Sequence, residues 1–359
     1  MMGAIARNGE PRMSPARPAH ARIALLLALV LQSGGGAVAT PAAIDPQAER
    51  ALIGEWRAQR VAALTSDSGW LTLAGLFWLK DGDNSFGRAA GNTLVLDNAA
   101  LAEHCGTFTV SGQAVRFTAA PDSRVTHDGQ PVSSLELAAD GSGHPTVLES
   151  GTLRFFVIER AGNLGVRVRD LNNPHRTAFR GLSYFPVSTD WVFEARFEPY
   201  QPARHIRIIN ILGMEQEYAS PGAVVFEKDG REWRLDAVLE EPGDKELFIM
   251  FADGTSGHET YGGGRFLYVP LPSASRTRLD FNKAYNPPCA LNDFATCPLP
   301  PQQNHLQLRV EAGEKTYAGA HATAPLTRAT GTPRNSAEFR VEPATSRAGA
   351  ATGPGGYAP

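Results

Sequence analysis

The chain has 359 residues, with 34 lysines and arginines against 37 aspartates and glutamates, a formal charge of −3 and three cysteines. No basic face is visible, which excludes the electrostatic footprint of a nucleic-acid binder. The length exceeds the usual single domain, so two packed units are expected, and there is no internal repeat.

The first 39 residues have the layout of a secretory leader: Arg7, Arg12, Arg17 and Arg22, then an apolar run from Ile23 to Leu31, then Ala37-Val38-Ala39. The run is shorter than the roughly 20 apolar residues that span a bilayer as a helix. Cleavage before Thr40 would remove four of the 34 basic residues and one of the 37 acidic ones, leaving 30 against 36 and a charge near −6. An exported protein, periplasmic or extracellular and with no membrane span once the leader is gone, is the expectation.

Asp45-Pro46 supplies an N-cap and a proline at the first helical position, and Leu52, Ile53, Trp56 and Leu64 follow at roughly helical spacing. One N-terminal helix is expected within 44–66. The nearly unbroken apolar run Gly69 to Leu79 reads as buried strand or short helix. Through 69–170 come short β-branched and aromatic runs, among them Thr93 to Leu96, Gly106 to Val110, Val115 to Phe117 and Leu153 to Ile158, separated by Gly, Asp and Asn. These predict an antiparallel sandwich.

A second antiparallel β unit is expected over 171–318, from apolar runs at Ile206 to Leu212, Ala223 to Phe226, Trp233 to Leu239, Leu247 to Phe251, Phe266 to Val269 and Leu306 to Val310. Gly222, Gly230 and Gly243 sit where turns are needed. The segment 319–359 is Ala, Thr, Pro, Gly and Arg with few large apolar residues, and is expected to be a disordered tail.

Two resemblances follow from particular words. Phe86-Gly87-Arg88, Asn92-Thr93-Leu94-Val95-Leu96, His104, Thr126-His127-Asp128-Gly129-Gln130-Pro131-Val132 and Leu153-Arg154-Phe155 occur in an order similar to a forkhead-associated (FHA) sandwich. In that family a serine three residues before the histidine helps hold phosphothreonine, whereas here Leu101 occupies the position. The sandwich is therefore read as scaffold, with Arg88 a solvated strand-end residue.

The second resemblance spans most of the chain after the leader. Phe251-Ala252-Asp253-Gly254-Thr255-Ser256-Gly257, Glu259-Thr260-Tyr261-Gly262-Gly263-Gly264-Arg265-Phe266-Leu267, Asp280-Phe281-Asn282-Lys283-Ala284-Tyr285-Asn286-Pro287-Pro288-Cys289 and Thr296-Cys297-Pro298-Leu299-Pro300-Pro301 resemble a bacterial family known as domain of unknown function 1684. Ala312-Gly313-Glu314-Lys315 matches it too, as do Trp56-Arg57, Gly69-Trp70-Leu71 and Arg167-Val168-Arg169-Asp170 upstream. The family has no assigned activity, so the resemblance implies no mechanism.

Candidate residues come from the chemistry of these words. Asp253, Glu259 and Asp280 are the carboxylates available for acid and base work. Arg265, Asn282, Tyr285 and Asn286 are the binding candidates. With Asn282, the same oxygens suit a hard cation such as Ca²⁺ or Mg²⁺, but no spaced loop signature is present.

Ser256 with His258 or His305 misses the nucleophile-elbow pattern. Cys289 and Cys297 bracket a short proline-rich segment and form a disulfide candidate, with two buried thiols the competing reading. A zinc site lacks a second cysteine pair, so no metal and no cofactor are implied. The structural alternative has Asp253 capping a turn through Gly254, Thr255 and Ser256, and Arg265 pairing with Glu259 or Asp280.

The sequence thus predicts a mainly β protein: one N-terminal helix, an FHA-like sandwich, and a second antiparallel unit. Its function reads as a ligand-binding or interaction module of the cell envelope, its partner a small molecule or an envelope protein. The alternative is an envelope hydrolase using Asp253, Glu259 and Asp280.

Overall fold

The structure is a computed structural model and describes residues 44–319. The leader expected over 1–39, and all but the first residue of the tail expected over 319–359, lie outside the described residues. Within them the protein is mainly antiparallel β-sheet with one long helix at its N-terminal end. No helix among the described residues is long and apolar enough to cross a membrane.

The helix runs Pro46–Thr65, and Asp45 caps it by accepting the Gln47 amide at 2.9 Å. Such a cap is worth about 1 kcal/mol. Its buried stripe is Glu49, Ile53, Arg60 and Leu64, while Leu52 is 44% exposed. The apolar spacing that included Leu52 therefore pointed the face wrongly. The helix docks through two charged residues, because the surface it meets supplies Arg278 to Glu49 and Glu314 to Arg60.

The Gly69–Leu79 run divides into a 3₁₀ turn, Trp70–Thr72, and a strand, Leu73–Trp78. That strand edges a six-stranded sheet which includes Asn163–Asp170 and Leu153–Arg160, and which faces a five-stranded sheet built around Gly82–Gly87, Gly106–Ser111 and Ala114–Ala119. Between them lie Phe86, Phe108, Phe117 and Phe155, with ring centroids 4.9 to 6.3 Å apart. Burying each side chain stabilises the fold by about 1.5–3 kcal/mol. Alternation on the Asn163–Asp170 strand sends Val166 and Val168 into this core and Arg167 and Arg169 to the opposite face.

Of the C-terminal strands Val192–Ile209, Glu215–Lys228, Arg231–Leu239, Glu246–Phe251, Arg265–Pro270 and Arg276–Asp280, the first five pair in succession and the first also pairs with the last. Thr277 Oγ1 donates to Pro270 O at 2.7 Å across the remaining seam. The curled sheet encloses Phe197, Val224, Phe226, Leu235, Ile249, Phe251, Leu267 and Phe281.

Two sequence expectations fail here. Leu306–Val310 is no strand. Its backbone meets loops instead (Leu306 N to Ala252 O and Gly254 N to Leu308 O, each 2.8 Å), while Leu306 and Val310 cap the core. Gly222 makes no turn; it lies inside a strand where a β-carbon would overlap the Glu198 carbonyl and the Phe197 ring.

The outer face of this sheet is covered in turn. Phe248, Met250, Phe266 and Tyr285 pack with Leu64, Trp70, Leu71 and Leu73 from the N-terminal part and with Cys289, Leu291, Ala295 and Cys297 from the loop after Phe281. Cys289 and Cys297 are joined as a disulfide, with Cα atoms 6.2 Å apart. Closing so short a loop stabilises by about 2–3 kcal/mol in the chain-entropy account. Cys105 is unpaired, and burial pushes its thiol up to about 12.

Candidate functional site

The carboxylates singled out in the sequence sit in three bonding environments. Asp253 is buried and accepts from Thr255 N (3.2 Å), Thr255 Oγ1 (2.9 Å), Ser256 Oγ (3.3 Å), Val310 N (2.7 Å) and Arg265 Nη2 (3.1 Å). Its lone pairs are all engaged. It is the cap of the 253–256 turn, and the partner of Arg265 is this residue rather than Glu259 or Asp280. The reason is proximity across a hairpin, since Arg265 is paired with Phe251, next to the turn that Asp253 begins. Ser256 is held by the same carboxylate and so is not arranged with a histidine as a nucleophile.

Glu259 lies at the surface, both oxygens taken by Arg309 Nη2 at 2.9 and 2.7 Å. Asp280 is 3% exposed and accepts from Asn282 N (3.0 Å) and Asn282 Nδ2 (2.9 Å). Its other oxygen has no donor among the described residues, and the same is true of Glu49 Oε1. Burial, then contact with Glu49, raises the Asp280 carboxyl to about 6. Arg278 Nη2 lies 3.7 Å from Asp280 Oδ2 and donates to Glu49 Oε2, so the two carboxyls form an acid pair around one guanidinium at a buried helix contact.

The remaining candidates also form a clasp for the helix. Arg60 Nε donates to Glu314 Oε1 at 2.9 Å and Arg60 Nη2 to Asn286 O at 2.8 Å, while Asn286 N donates to Glu314 Oε2 at 2.9 Å. The Arg60 guanidinium lies 4.3 Å above the Tyr285 ring. Asn282 is bonded twice to the Ser188 backbone. Gly264, at φ +82, lets the chain pass against Pro300 and the Phe251 carbonyl, so the triple glycine serves close backbone packing.

What the sequence reading missed is a crevice between the two β parts. Trp70, Phe248, Phe266, Tyr268, Thr296, Cys297 and Glu240 line it, and it holds about 20 Å³ of space. That is room for one or two water-sized groups. Tyr268 stacks on Phe248 with centroids 4.9 Å apart, and its hydroxyl donates to Glu240 Oε2 at 2.6 Å. Trp70 Nε1 is buried with no acceptor among the described residues.

Behind Trp70 and Thr296 lie three buried arginines from the outer face of the sandwich. Arg160 Nε (3.2 Å) and Arg167 Nη2 (3.4 Å) both donate to Thr296 Oγ1. Arg160 pairs with Asp140 at 2.8 Å. Arg169 Nη1 donates to Gly69 O at 2.6 Å and Thr72 Oγ1 at 3.1 Å, and burial lowers its pKa to about 10. Arg167 and Arg169 stand 5.4 and 5.9 Å from the Trp70 ring. Burial, then repulsion from Arg160 and Arg169 against a pull from Asp140, loosens the hold of Arg167 on its proton. Gly69-Trp70 and Arg167 to Asp170 were visible as words, but nothing local marked them as one place.

Residues 177–315 match the family described as "Protein of unknown function (DUF1684)". An uncharacterized protein of Haloarcula marismortui, solved in solution by NMR, is 34% identical over 39% of this chain and 79% of its own, with a TM-score of 0.34. An FHA domain from FhaA, solved with the intracellular domain of Rv3910, is 18% identical over 26% of this chain and 96% of its own, with a TM-score of 0.19. An FHA domain from work on phosphothreonine-dependent interactions is 20% identical over 26% and 92%, also at 0.19. None of the curated proteins matches.

Proposed function

We propose, for a chain whose residues 177–315 belong to the DUF1684 family of unknown function, that it is an exported binding module which admits a small molecule to the crevice beside Trp70. Export is supported by the leader pattern of residues 1–39 and by the Cys289–Cys297 disulfide, a bond that persists in oxidising compartments. The observation that carries the binding reading is Trp70 Nε1, a buried donor without an acceptor among the described residues, on a residue that lines the crevice. Buried donors are nearly always bonded, so one beside a crevice asks for a ligand or a bridging water. Hydrolysis is not supported, since Asp253 and Glu259 are committed to their own partners and Asp280 to a helix contact.

The test is a panel of small hydrogen-bond acceptors (carboxylates, amides, alcohols) followed by thermal unfolding and tryptophan fluorescence. Trp70→Phe keeps the ring and removes the donor, and should weaken the best ligand about three- to tenfold, the worth of one hydrogen bond. If no member shifts either signal in the wild type, the binding reading fails. Export is checked by fractionating cells that express the chain with and without residues 1–39; an unchanged distribution would refute it.

A further inference from the structure

The lining of the crevice narrows what it can take. Its space of about 20 Å³ is room for one or two water-sized groups, so what enters is a molecule of two heavy atoms or the end of a longer one. Much of the wall is apolar, formed by Phe248, Phe266, Pro288, Cys297 and Pro298. Carbon against that wall is favoured and a second polar atom is not.

The polar groups in the same lining are of two kinds. Trp70 Nε1 can only donate, and it has no acceptor among the described residues. Thr296 Oγ1 accepts from Arg160 Nε and Arg167 Nη2, which occupies its lone pairs and leaves its own O–H to donate. Glu240 is of the opposite kind: its carboxylate takes the Tyr268 hydroxyl at 2.6 Å, and a carboxylate accepts several donors at once. A group that completes this lining therefore both accepts and donates, as a hydroxyl does.

Charge is disfavoured in either sign. An anion would enter beside the Glu240 carboxylate. A cation would enter against Trp70 and Thr296, and behind them Arg167 and Arg169 stand 5.4 and 5.9 Å from the indole ring. The hydrogen bonds of those two arginines go to neutral oxygens, Thr296 Oγ1, Gly69 O and Thr72 Oγ1, so their positive charge is not cancelled there. An ion taken out of water into such a place finds a neighbour of its own sign, and burying it is costly.

Resting on the reading of the crevice as a ligand site, we infer that the group it accepts is a neutral hydroxymethyl, either as methanol or as the end of a longer primary alcohol. Its oxygen accepts from Trp70 Nε1 and donates to Glu240, and its carbon lies against the apolar wall. One carbon and one oxygen match the space. Water meets the same polar groups but gains nothing from the wall, and that difference gives the alcohol its margin.

The experiment follows the indole N–H signals of the isotope-labelled whole chain by NMR, the Trp70 signal being the one that Trp70→Phe removes. The chain is titrated at matched ionic strength with methanol, ethanol, n-propanol, tert-butanol, acetonitrile, sodium formate and methylammonium chloride. A saturable shift of the Trp70 signal is expected with methanol. Longer primary alcohols binding as well or better identify the end of a larger molecule as the natural ligand, and methanol alone binding identifies the free alcohol. Formate and methylammonium should each bind at least about tenfold more weakly than methanol, as ions without a counter-charge. The same margin of about tenfold is expected for tert-butanol, too crowded at its carbinol carbon to enter, and for acetonitrile, which accepts but cannot donate. Glu240→Gln keeps an acceptor and removes the charge, so it should leave methanol within about threefold and narrow the formate gap at least about threefold.

Formate or methylammonium binding as tightly as methanol would overturn the neutral assignment, tert-butanol doing so would overturn the size limit, and acetonitrile doing so would overturn the need for a donor. Each of these leaves the crevice a ligand site, as does a Trp70 signal that moves with an amide or a carboxylate but with no primary alcohol, which overturns this inference alone. The wild-type comparison decides these points even where Glu240→Gln does not fold. If no small molecule moves the Trp70 signal, the crevice holds water only, and this inference falls together with the reading on which it rests.

Discussion

Replacing Asp253 by alanine should be among the most damaging single changes to this protein. Arg265 and Asp253 both have fully buried side chains and meet at 3.1 Å. Without the carboxylate, Arg265 keeps the carbonyls of Val310 and Ala312 and, as counter-charge, only the more distant Glu314. Breaking one side of a buried pair costs about 3–5 kcal/mol, and the orphaned Val310 amide, which now donates to Asp253 at 2.7 Å, adds about 1–3 kcal/mol. These overlap, so about 4–6 kcal/mol is expected, a large part of the about 5–15 kcal/mol that holds a domain folded.

Urea unfolding followed by fluorescence and circular dichroism would measure it. The same measurement on Arg265→Met and on the double variant closes a cycle. The double variant has no stranded charge, so it should be at least about 2 kcal/mol more stable than the sum of the single losses requires. Additivity within about 0.5 kcal/mol would refute the claim that this ion pair fastens the 253–264 loop to residues 310–312.

The acid pair between helix and sheet makes stability depend on pH in a stated direction. Because the folded Asp280 holds its proton up to about pH 6, against an ordinary value of 3.8, the folded state binds more protons between those values and loses stability as pH rises through them. Two units correspond to about 3 kcal/mol, an upper estimate. Asp280→Asn, which mimics the protonated form, should flatten the curve from pH 4 to 7; a variant as pH-dependent as the wild type would rule out Asp280 as the source. Gly313→Ala should lower the unfolding midpoint strongly, costing about 2 kcal/mol or more. Gly313 has φ +79, and a β-carbon there would overlap the Ala284 carbonyl, beside the Glu314–Arg60 contact. A midpoint within about 1 °C of the wild type would contradict that account.

Much of the fold was legible because its signals are local. Asp45-Pro46 starts a helix through bonds spanning two residues, continuous apolar runs such as Leu247 to Phe251 and Phe266 to Val269 become strands, and Asp253 caps the turn that follows it. Cys289 and Cys297 are close in sequence, so pairing them needs little closure. Leu306–Val310 misled, because an apolar run that plugs a core looks the same as one that joins a sheet.

The site was not legible. Val166-Arg167-Val168-Arg169 has the alternation of a strand with one wet face, yet that face is dry, because the loop carrying Thr296 and the ring of Trp70 cover it. Likewise the stripe of Glu49 and Arg60 looks solvent-facing until Arg278 and Glu314 arrive from 229 and 254 positions away. Periodicity, caps and turns are properties of neighbouring residues and were determined by the sequence itself. Which polar face is buried, which charge is left without a partner, and where the crevice opens depend on what packs over an element from far along the chain, and only the tertiary structure decided them.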